Sequence, residues 1–289
     1  MDCIRYYSIF LNYLYCVASG IMTDSGYSPF YILYIAINIA GLTYALGALF
    51  YGLPIPIYGL KKWGPKMMSD AIYAAVWINI YGAVISVIGK LQSLLGVSWT
   101  TFYSSILQLQ VQMFNALIQI KSVYYIITTV KISMALALLA DPVLQFSSFV
   151  TDIIFLLQFF IDLGEFIQST FMILIAIGIL LLSLPFRIGK NIGGTLISSS
   201  IVFYIGLPYL PIFMQNMSSS TLSQMEAQLS SIANLNTLIE TVAGIVPELV
   251  IAFIIVPMLY LSILAGLSLG LGTAIGGSSG RMPFPLDLF

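Results

Sequence analysis

The side chains that could do chemistry in this sequence are a few charged groups set within long apolar stretches. Lys131 and Asp152 lie at equal distances from a turn at Asp141-Pro142, and Lys121 and Asp162 lie equally far from it one step further out. In an antiparallel hairpin, equal distance from the turn means equal depth. Charges within a membrane persist mainly when they are paired. We therefore predict the ion pairs Lys131–Asp152 and Lys121–Asp162.

A second set of polar side chains follows one face of a predicted helix over residues 100–140. Its spacing of three or four residues matches the helical period. The members of this polar stripe are Ser104, Gln108, Gln112, Asn115, Gln119 and Ser122. Amides facing lipid would be costly, so the stripe either bonds to neighbouring helices or lines a water-filled conduit. Both interpretations remain open at this stage.

Two short basic segments interrupt the apolar stretches of the sequence. One has three lysines within residues 61–66, and the other carries Arg187 and Lys190. Cytoplasmic loops of membrane proteins are enriched in Lys and Arg, so we place both segments on the cytoplasmic side. From their charge alone, Arg187 and Lys190 serve to orient the chain in the membrane.

Composition limits the class of protein that could position these groups. Hydrophobic residues make up 60% of the chain and charged residues 7%, with a mean hydropathy of +1.01. Soluble domains carry nearer a quarter of charged residues. The net charge of −1 does not indicate a nucleic-acid-binding domain. We predict an all-α, polytopic integral membrane helical bundle.

The sequence gives no support for an enzyme. It lacks histidine, and Cys3 and Cys16 lie in or beside the first apolar segment, where they suggest neither a disulfide framework nor a metal site. A P-loop and the HExxH, GxSxG and CxxC motifs are also missing. We predict no catalytic residues, no metal and no cofactor, although bound lipids are possible.

Hydropathy and turn signals predict a single domain, 1–289, with about eight membrane segments, or seven if the first is peripheral. Both termini are then cytoplasmic, in a multi-pass protein of the cytoplasmic membrane. A long amphipathic hairpin lies in the middle, and an external amphipathic helix covers 216–243. The predicted membrane segments are 4–22, 29–53, 69–96, 100–140, 143–163, 165–184, 191–214 and 245–273.

Residues 183–214 carry a family resemblance. The pattern P-F-R-x-G-K-x-x-G-x-x-L-I-S-x-x-I-V-F-Y-x-x-L-P-x-x-P-x-F begins at Pro185. It resembles the polytopic channel components of conjugation and type IV secretion systems, the TrbL/VirB-six-like proteins, and in particular their archaeal, CedA-like branch. The recognisable part extends over 183–277, including a Gly-rich C-terminal region.

The resemblance implies a subunit of a homo-oligomeric channel, such as a pentamer, that passes DNA across the cytoplasmic membrane in a conjugation-like archaeal import apparatus. It also implies a separate ATPase of the HerA/VirB-four class and pilus subunits as partners, with DNA as the translocated substrate. Carried over to this sequence, Arg187 and Lys190 become DNA contacts at the cytoplasmic mouth.

Two other classes of function remain open. A secondary transporter for a small solute could use Asp152, Asp162 and Glu165 as coupling acids in a proton relay. A scaffold that anchors a pilus would conduct nothing. A symmetric oligomer with a polar axis would favour the channel, and a closed pocket around Asp152 would favour the transporter.

Overall fold

The chain is described here from a computed structural model, over residues 28–54, 58–129, 140–216 and 246–276. These residues form helices, with no strand among them, which confirms the predicted all-α class. The helices are α1 Pro29–Gly52, α2 Tyr58–Leu95, α3 Trp99–Thr129, α4 Ala140–Leu182, α5 Lys190–Asn216 and α6 Val246–Gly276. All except α3 contain a stretch long and apolar enough to cross a membrane.

The number and limits of the predicted segments change in three places. The segments 143–163 and 165–184 form one uninterrupted helix, α4, of 43 residues. The expected break at Gly164 does not occur, because this glycine is helical and gives the Phe102 ring room to approach the backbone. The predicted count of eight is therefore not confirmed.

The other two changes concern helix ends. The segment predicted to begin at residue 69 begins instead at Tyr58, so the lysine-rich segment 61–66 is helical and not a loop. This extension lets Gly64 pack on Gly47 of α1, where a Cβ on Gly64 would lie only 2.8 Å from the Gly47 carbonyl oxygen. The segment predicted to reach residue 140 is described as helix to Thr129, and Ala140 already belongs to α4. Segments 4–22 and 216–243 lie, apart from residue 216, outside the described residues.

The chain divides into two compact units, and four helices contribute to both. The first unit contains α1, α2 as far as Lys90, α4 from Ser169, α5 as far as Phe203 and the end of α6 from Gly266. The second unit contains the remaining parts of α2, α4, α5 and α6 together with α3. The prediction of one domain over the whole chain is not tested by this division.

Close backbone approaches characterise the first unit. At several helix crossings a glycine faces the backbone of the neighbouring helix so closely that a Cβ would not fit. These crossings pair Gly47 with Gly64, Gly178 with Gly193, and Gly194 with Gly272 and Gly276. Small residues allow this packing in apolar surroundings, where helices associate through backbone contact and polar bonds.

Side-chain hydroxyls add hydrogen bonds to carbonyl oxygens of neighbouring helices in the same unit. Four hydroxyls donate to backbone oxygens elsewhere in the unit at 2.7–3.1 Å. The four bonds run from Thr43 to Ser183, from Tyr73 to Ile275, from Tyr81 to Met172 and from Ser198 to Ser268. Each joins helices that are distant in sequence, so together they fix the order of the helices within the unit.

The second unit is built around the antiparallel pair of α3 and the first part of α4. The Tyr103 hydroxyl donates to Gln168 Oε1 at 2.8 Å, and Gln110 Nε2 donates to Gln158 Oε1 at 3.3 Å. The buried side chains of α3 recur every three or four residues, as an amphipathic helix requires. They are Trp99, Phe102, Ile106, Leu109, Met113, Ala116, Leu117 and Ile120. Large apolar side chains thus form the core of this unit.

Two helices change their winding within the second unit. In α5 the residues Leu207–Tyr209 form a 3₁₀ turn around Pro208, and in α6 the residues Ile251–Ile255 form a π turn just before Pro257. Proline removes a backbone donor and crowds the preceding turn, which accounts for both irregularities. The Tyr260 hydroxyl donates to the Gly206 carbonyl oxygen at 2.6 Å and links the two helices there.

Candidate functional site

The turn between α4 and α5 carries two of the candidate cations and has an unusual backbone. Phe186 and Arg187 within the 3₁₀ turn Pro185–Arg187 both have φ of +62°, a left-handed value that non-glycine residues seldom adopt. Each such residue costs about 1–2 kcal/mol, so surrounding contacts must hold the turn in this shape. The buried Thr43 hydroxyl provides one contact, through its bond to the Ser183 carbonyl oxygen.

A carboxylate from α2 provides the other contact. Arg187 Nε donates to Asp70 Oδ2 at 2.6 Å and its Nη2 donates to Oδ1 at 3.1 Å. Lys190 Nζ donates to the same Oδ1 at 2.9 Å. The two-point contact of guanidinium on carboxylate is a strong form of charge-assisted hydrogen bond. Asp70, Arg187 and Lys190, which we call the ion trio, carry a net charge of +1.

Burial differs across the ion trio. The Asp70 side chain is 11% exposed, that of Lys190 is 17% exposed, and that of Arg187 is 43% exposed. The hydrogen bond to Asp70 raises the pKa of Arg187 above its ordinary value, so this cation keeps its charge at every physiological pH. Lys190 Nζ also lies 5.5 Å from the centre of the Tyr73 ring, a cation–π contact that further fixes its position.

Sequence reasoning found the two cations but missed their carboxylate. Asp70 lies more than one hundred residues before Arg187, and no local spacing connects them. One signal was available, because Asp70 is the only acid between Asp24 and Asp141 and it follows three lysines. A lone acid beside a basic segment in an apolar chain is a candidate partner for another cation.

The ion trio also brings the two basic segments together. Lys62 and Lys66 precede Asp70 at intervals of four residues, so the three share one face of α2. Lys61, Lys62 and Lys66 are all exposed, and Lys66 Nζ lies 5.8 Å from the centre of the Trp63 ring. Both basic segments therefore lie at one end of the first unit, as their assignment to a common side of the membrane requires.

The polar stripe of α3 lies beside the buried face of that helix, and the face opposite the buried one carries exposed apolar side chains such as Val111 and Ile118. Ser104, Gln108, Asn115 and Ser122 are exposed, while Gln112 and Gln119 are half-buried. Within the described part of the chain, no hydrogen bond joins the stripe to another helix: the two serine hydroxyls donate to carbonyl oxygens of α3 itself. The bonds between α3 and α4 come instead from Tyr103 and Gln110.

The structure does not bring Lys121 and Asp162, a predicted ion pair, together. The contacts Tyr103–Gln168 and Gln110–Gln158 set the register of α3 on α4. Lys121 is then level with a residue near 148, about 14 residues or roughly 20 Å along α4 from Asp162. Asp162 instead accepts a hydrogen bond from Gln158 Nε2 at 3.0 Å. The other predicted pair, Lys131–Asp152, involves a residue outside the described ranges.

The three acids considered for a proton relay, Asp152, Asp162 and Glu165, are exposed on α4. A coupling acid works in an enclosed site, which the exposed face of a single helix does not provide. The described residues contain no group of three or more Cys, Asp or Glu side chains arranged to hold a metal ion.

Comparison with known proteins identifies relatives of this chain. Residues 19–94 match the family described as DNA import protein CedA1. The DNA import protein CedA of Sulfolobus acidocaldarius is 34% identical over 268 residues, covering 91% of this chain and 99% of the relative. No solved structure gives a significant match.

Proposed function

Because this chain belongs to the CedA family of DNA import proteins, we propose that it is a channel subunit that passes DNA across the cytoplasmic membrane. The family supports the cargo, since the relative is named for DNA import and matches this chain along nearly its whole length. In this proposal several copies form a cyclic homo-oligomer, such as a pentamer, with membrane lipids around it. The wider relationship to TrbL/VirB-six proteins and type IV secretion belongs to the same proposal.

The observation that carries the channel is the exposed polar stripe on α3. Four of its six side chains are exposed, and the described helices of the same chain leave them without cross-helix hydrogen bonds. Amides and hydroxyls hydrogen-bond with water but carry no charge that would retain a polyanion. A ring of such faces from several copies would therefore line a wet path through which DNA moves.

A second contribution comes from the cations of the first unit. Lys61, Lys62, Lys66, Arg187 and Lys190 lie at one end of it. Phosphate neutralisation by Lys and Arg supplies most of the sequence-independent affinity for DNA. In a cyclic assembly each cation becomes a ring, so that a chain with few cations still presents a basic entrance. A separate HerA/VirB-four-type ATPase would drive transport, and pilus subunits would guide DNA to the channel.

Cysteine accessibility tests the lining directly. Gln112→Cys is compared with Val111→Cys, its exposed apolar neighbour, in a Cys3→Ser/Cys16→Ser background and in planar bilayers. If the stripe lines the path, a membrane-impermeant thiol reagent lowers the conductance of Gln112→Cys channels several-fold and leaves Val111→Cys unchanged. Equal effects on both variants, or no conductance from the parent oligomer, would overturn the channel proposal.

DNA uptake tests the cargo. Cells that lack their own CedA protein receive either this chain or its Arg187→Ala/Lys190→Ala variant, and uptake of marked DNA is counted. The parent chain should restore uptake, and the double variant should lower it at least several-fold while remaining in the membrane. Restored uptake with the double variant would reject the assignment of these cations to the DNA entrance.

The two alternative functions receive less support. The secondary transporter depends on Asp152, Asp162 and Glu165, which are exposed on α4. A pilus scaffold leaves the polar stripe without a role, and it predicts no conductance in the bilayer experiment above.

A further inference from the structure

The ion trio has the geometry of an anion site that is already occupied. Asp70 receives three charge-assisted hydrogen bonds, two from Arg187 and one from Lys190, at 2.6–3.1 Å. The planar fork of a guanidinium fits the oxygens of a carboxylate and those of a phosphate in the same way. A phosphodiester group could therefore take the place of the Asp70 carboxylate without any change in the donors.

The donors also remain accessible to an incoming anion. The Arg187 side chain is 43% exposed, and it binds Asp70 through Nε and Nη2 only, which leaves Nη1 outside this contact. Lys66 lies one helical turn before Asp70 on the same face of α2 and is exposed. A phosphodiester approaching Arg187 would thus meet further positive charge beside the one acid.

The backbone of the turn indicates that Asp70 holds it in place. Phe186 and Arg187 both have φ of +62°, and strained residues persist only where surrounding contacts hold them. Arg187 is at once one of the strained residues and the main partner of Asp70. If another anion replaced the carboxylate, the ion pair that joins the turn between α4 and α5 to α2 would be lost, and the turn could change shape.

We propose that Arg187, Lys190 and Lys66 form a phosphodiester-binding site in which the Asp70 carboxylate is the resident, competing anion. DNA at the entrance displaces Asp70 from the two cations and thereby releases the turn. This inference rests on the proposed function, since it takes the phosphodiester to be that of the DNA cargo. In this proposal Asp70 regulates the entrance, because its carboxylate stays paired with Arg187 and Lys190 until DNA binds.

Binding of a fluorescein-labelled single-stranded 30-mer to the purified full-length protein in detergent, followed by anisotropy at low salt, tests the competition. Asp70→Asn removes the competing charge and should tighten binding about 3- to 10-fold. Asp152→Asn makes the same change of charge on an exposed acid of the second unit and should alter affinity less than about 1.5-fold. Equal tightening in both variants would show a general charge effect and overturn the inference, as would unchanged or weaker binding by Asp70→Asn.

Thermal unfolding of the same samples provides a second readout. Asp70→Asn should lower the melting temperature. Saturating 30-mer should then raise the melting temperature of this variant by more than it raises that of the parent protein, because phosphate replaces the missing carboxylate. Failure of the 30-mer to restore it would overturn the exchange. If Asp70→Asn does not fold, Asp70→Glu, which lengthens the side chain and disturbs the three-bond geometry, should bind the 30-mer about 2-fold more tightly; unchanged binding would overturn the inference.

The double variant Arg187→Ala/Lys190→Ala separates this inference from the function on which it depends. If it binds the 30-mer as the parent protein does, the entrance itself is misplaced and the proposed role of these cations fails. If it binds several-fold more weakly while Asp70→Asn shows no gain, the entrance stands and only the competition by Asp70 is rejected.

Discussion

The two compact units of this chain join their helices in different ways. In the first unit, glycines let backbones touch and hydroxyls donate to carbonyl oxygens of neighbouring helices. In the second unit, large side chains such as Phe102 fill the space between α3 and α4, and amides meet at the edge. A backbone contact cannot adjust to an added atom, whereas a ring or an amide can move.

The charges of the described residues differ just as clearly between the units. The first unit carries six cations and one acid, and the second carries one cation and five acids. The first set is Lys61, Lys62, Lys66, Lys90, Arg187 and Lys190 with Asp70, and the second is Lys121 with Asp141, Asp152, Asp162, Glu165 and Glu248. Since cytoplasmic segments of membrane proteins are enriched in Lys and Arg, the basic end of the first unit is the part expected on the cytoplasmic side.

The largest effect should come from filling a backbone contact of the first unit. A Cβ on Gly194 would lie 2.7 Å from the Gly272 carbonyl oxygen and from the Gly276 nitrogen, so Gly194→Ala must push α5 and α6 apart. We expect a loss of about 3 kcal/mol, the upper range for overpacking. Gly270→Ala is the matched control, because nothing lies within 4 Å of its Cβ position. Equal unfolding midpoints of the two variants in detergent would contradict the backbone contact.

Removal of the ion-trio acid should have the next largest effect. Asp70→Ala leaves Arg187 and Lys190 without their carboxylate, and the cost should be about 1–3 kcal/mol. This range is below the value for a fully buried pair, because Arg187 is 43% exposed and partly solvated. Asp152→Ala, an exposed acid of the second unit, should change stability by less than about 0.5 kcal/mol. Denaturant titration of both variants compares the units directly.

A glycine of the second unit should tolerate substitution better than Gly194. A Cβ on Gly164 would lie 2.5 Å from a ring carbon of Phe102. A ring can rotate or shift, so Gly164→Ala should cost only about 1 kcal/mol, offset in part by the better helix propensity of alanine. A loss equal to that of Gly194→Ala would show that side-chain packing is as rigid here as backbone contact.

The smallest effect concerns the register of α3 on α4. A double-mutant cycle on Gln110 and Gln158 should give a coupling of about 0.5 kcal/mol, typical of a single exposed hydrogen bond. The cycle on Lys121 and Asp162 should give none, since these residues lie far apart along the hairpin. Disulfide trapping in a background without Cys3 and Cys16 checks the same register, because cysteines at 110 and 158 should cross-link and those at 121 and 162 should not.

Much of the fold follows from the sequence because helix-forming patterns are local. The helical class and the limits of α1, predicted as 29–53 and found as Pro29–Gly52, depend only on apolar length and proline position. The prediction divides α4 at Gly164 into the segments 143–163 and 165–184, whereas the helix continues through this glycine. Its role is settled by a contact with Phe102, which lies more than sixty residues earlier.

Only part of the candidate site could be predicted, because its acid and its cations are distant in sequence. Charge alone marks Arg187 and Lys190, but their acid comes from another helix and is joined to them only by the folded chain. The hairpin register differs from the predicted one because the count started from Asp141-Pro142, which lies in the first turn of α4. Depth along a hairpin can be counted from sequence only when the midpoint of the turn is known.

The pair Gly193-Gly194 has a consequence for the order of assembly during synthesis. Gly193 packs on α4, which precedes it, but Gly194 packs on Gly272 and Gly276, which the ribosome adds nearly eighty residues later. At 5–20 residues per second, this face of α5 waits about 4–16 s for its neighbour. Ser198 on the same face can donate to Thr195 of its own helix at 3.0 Å before Ser268 becomes available. The nascent helix therefore carries its own temporary acceptor, so that its hydroxyl is satisfied until the last helix is in place.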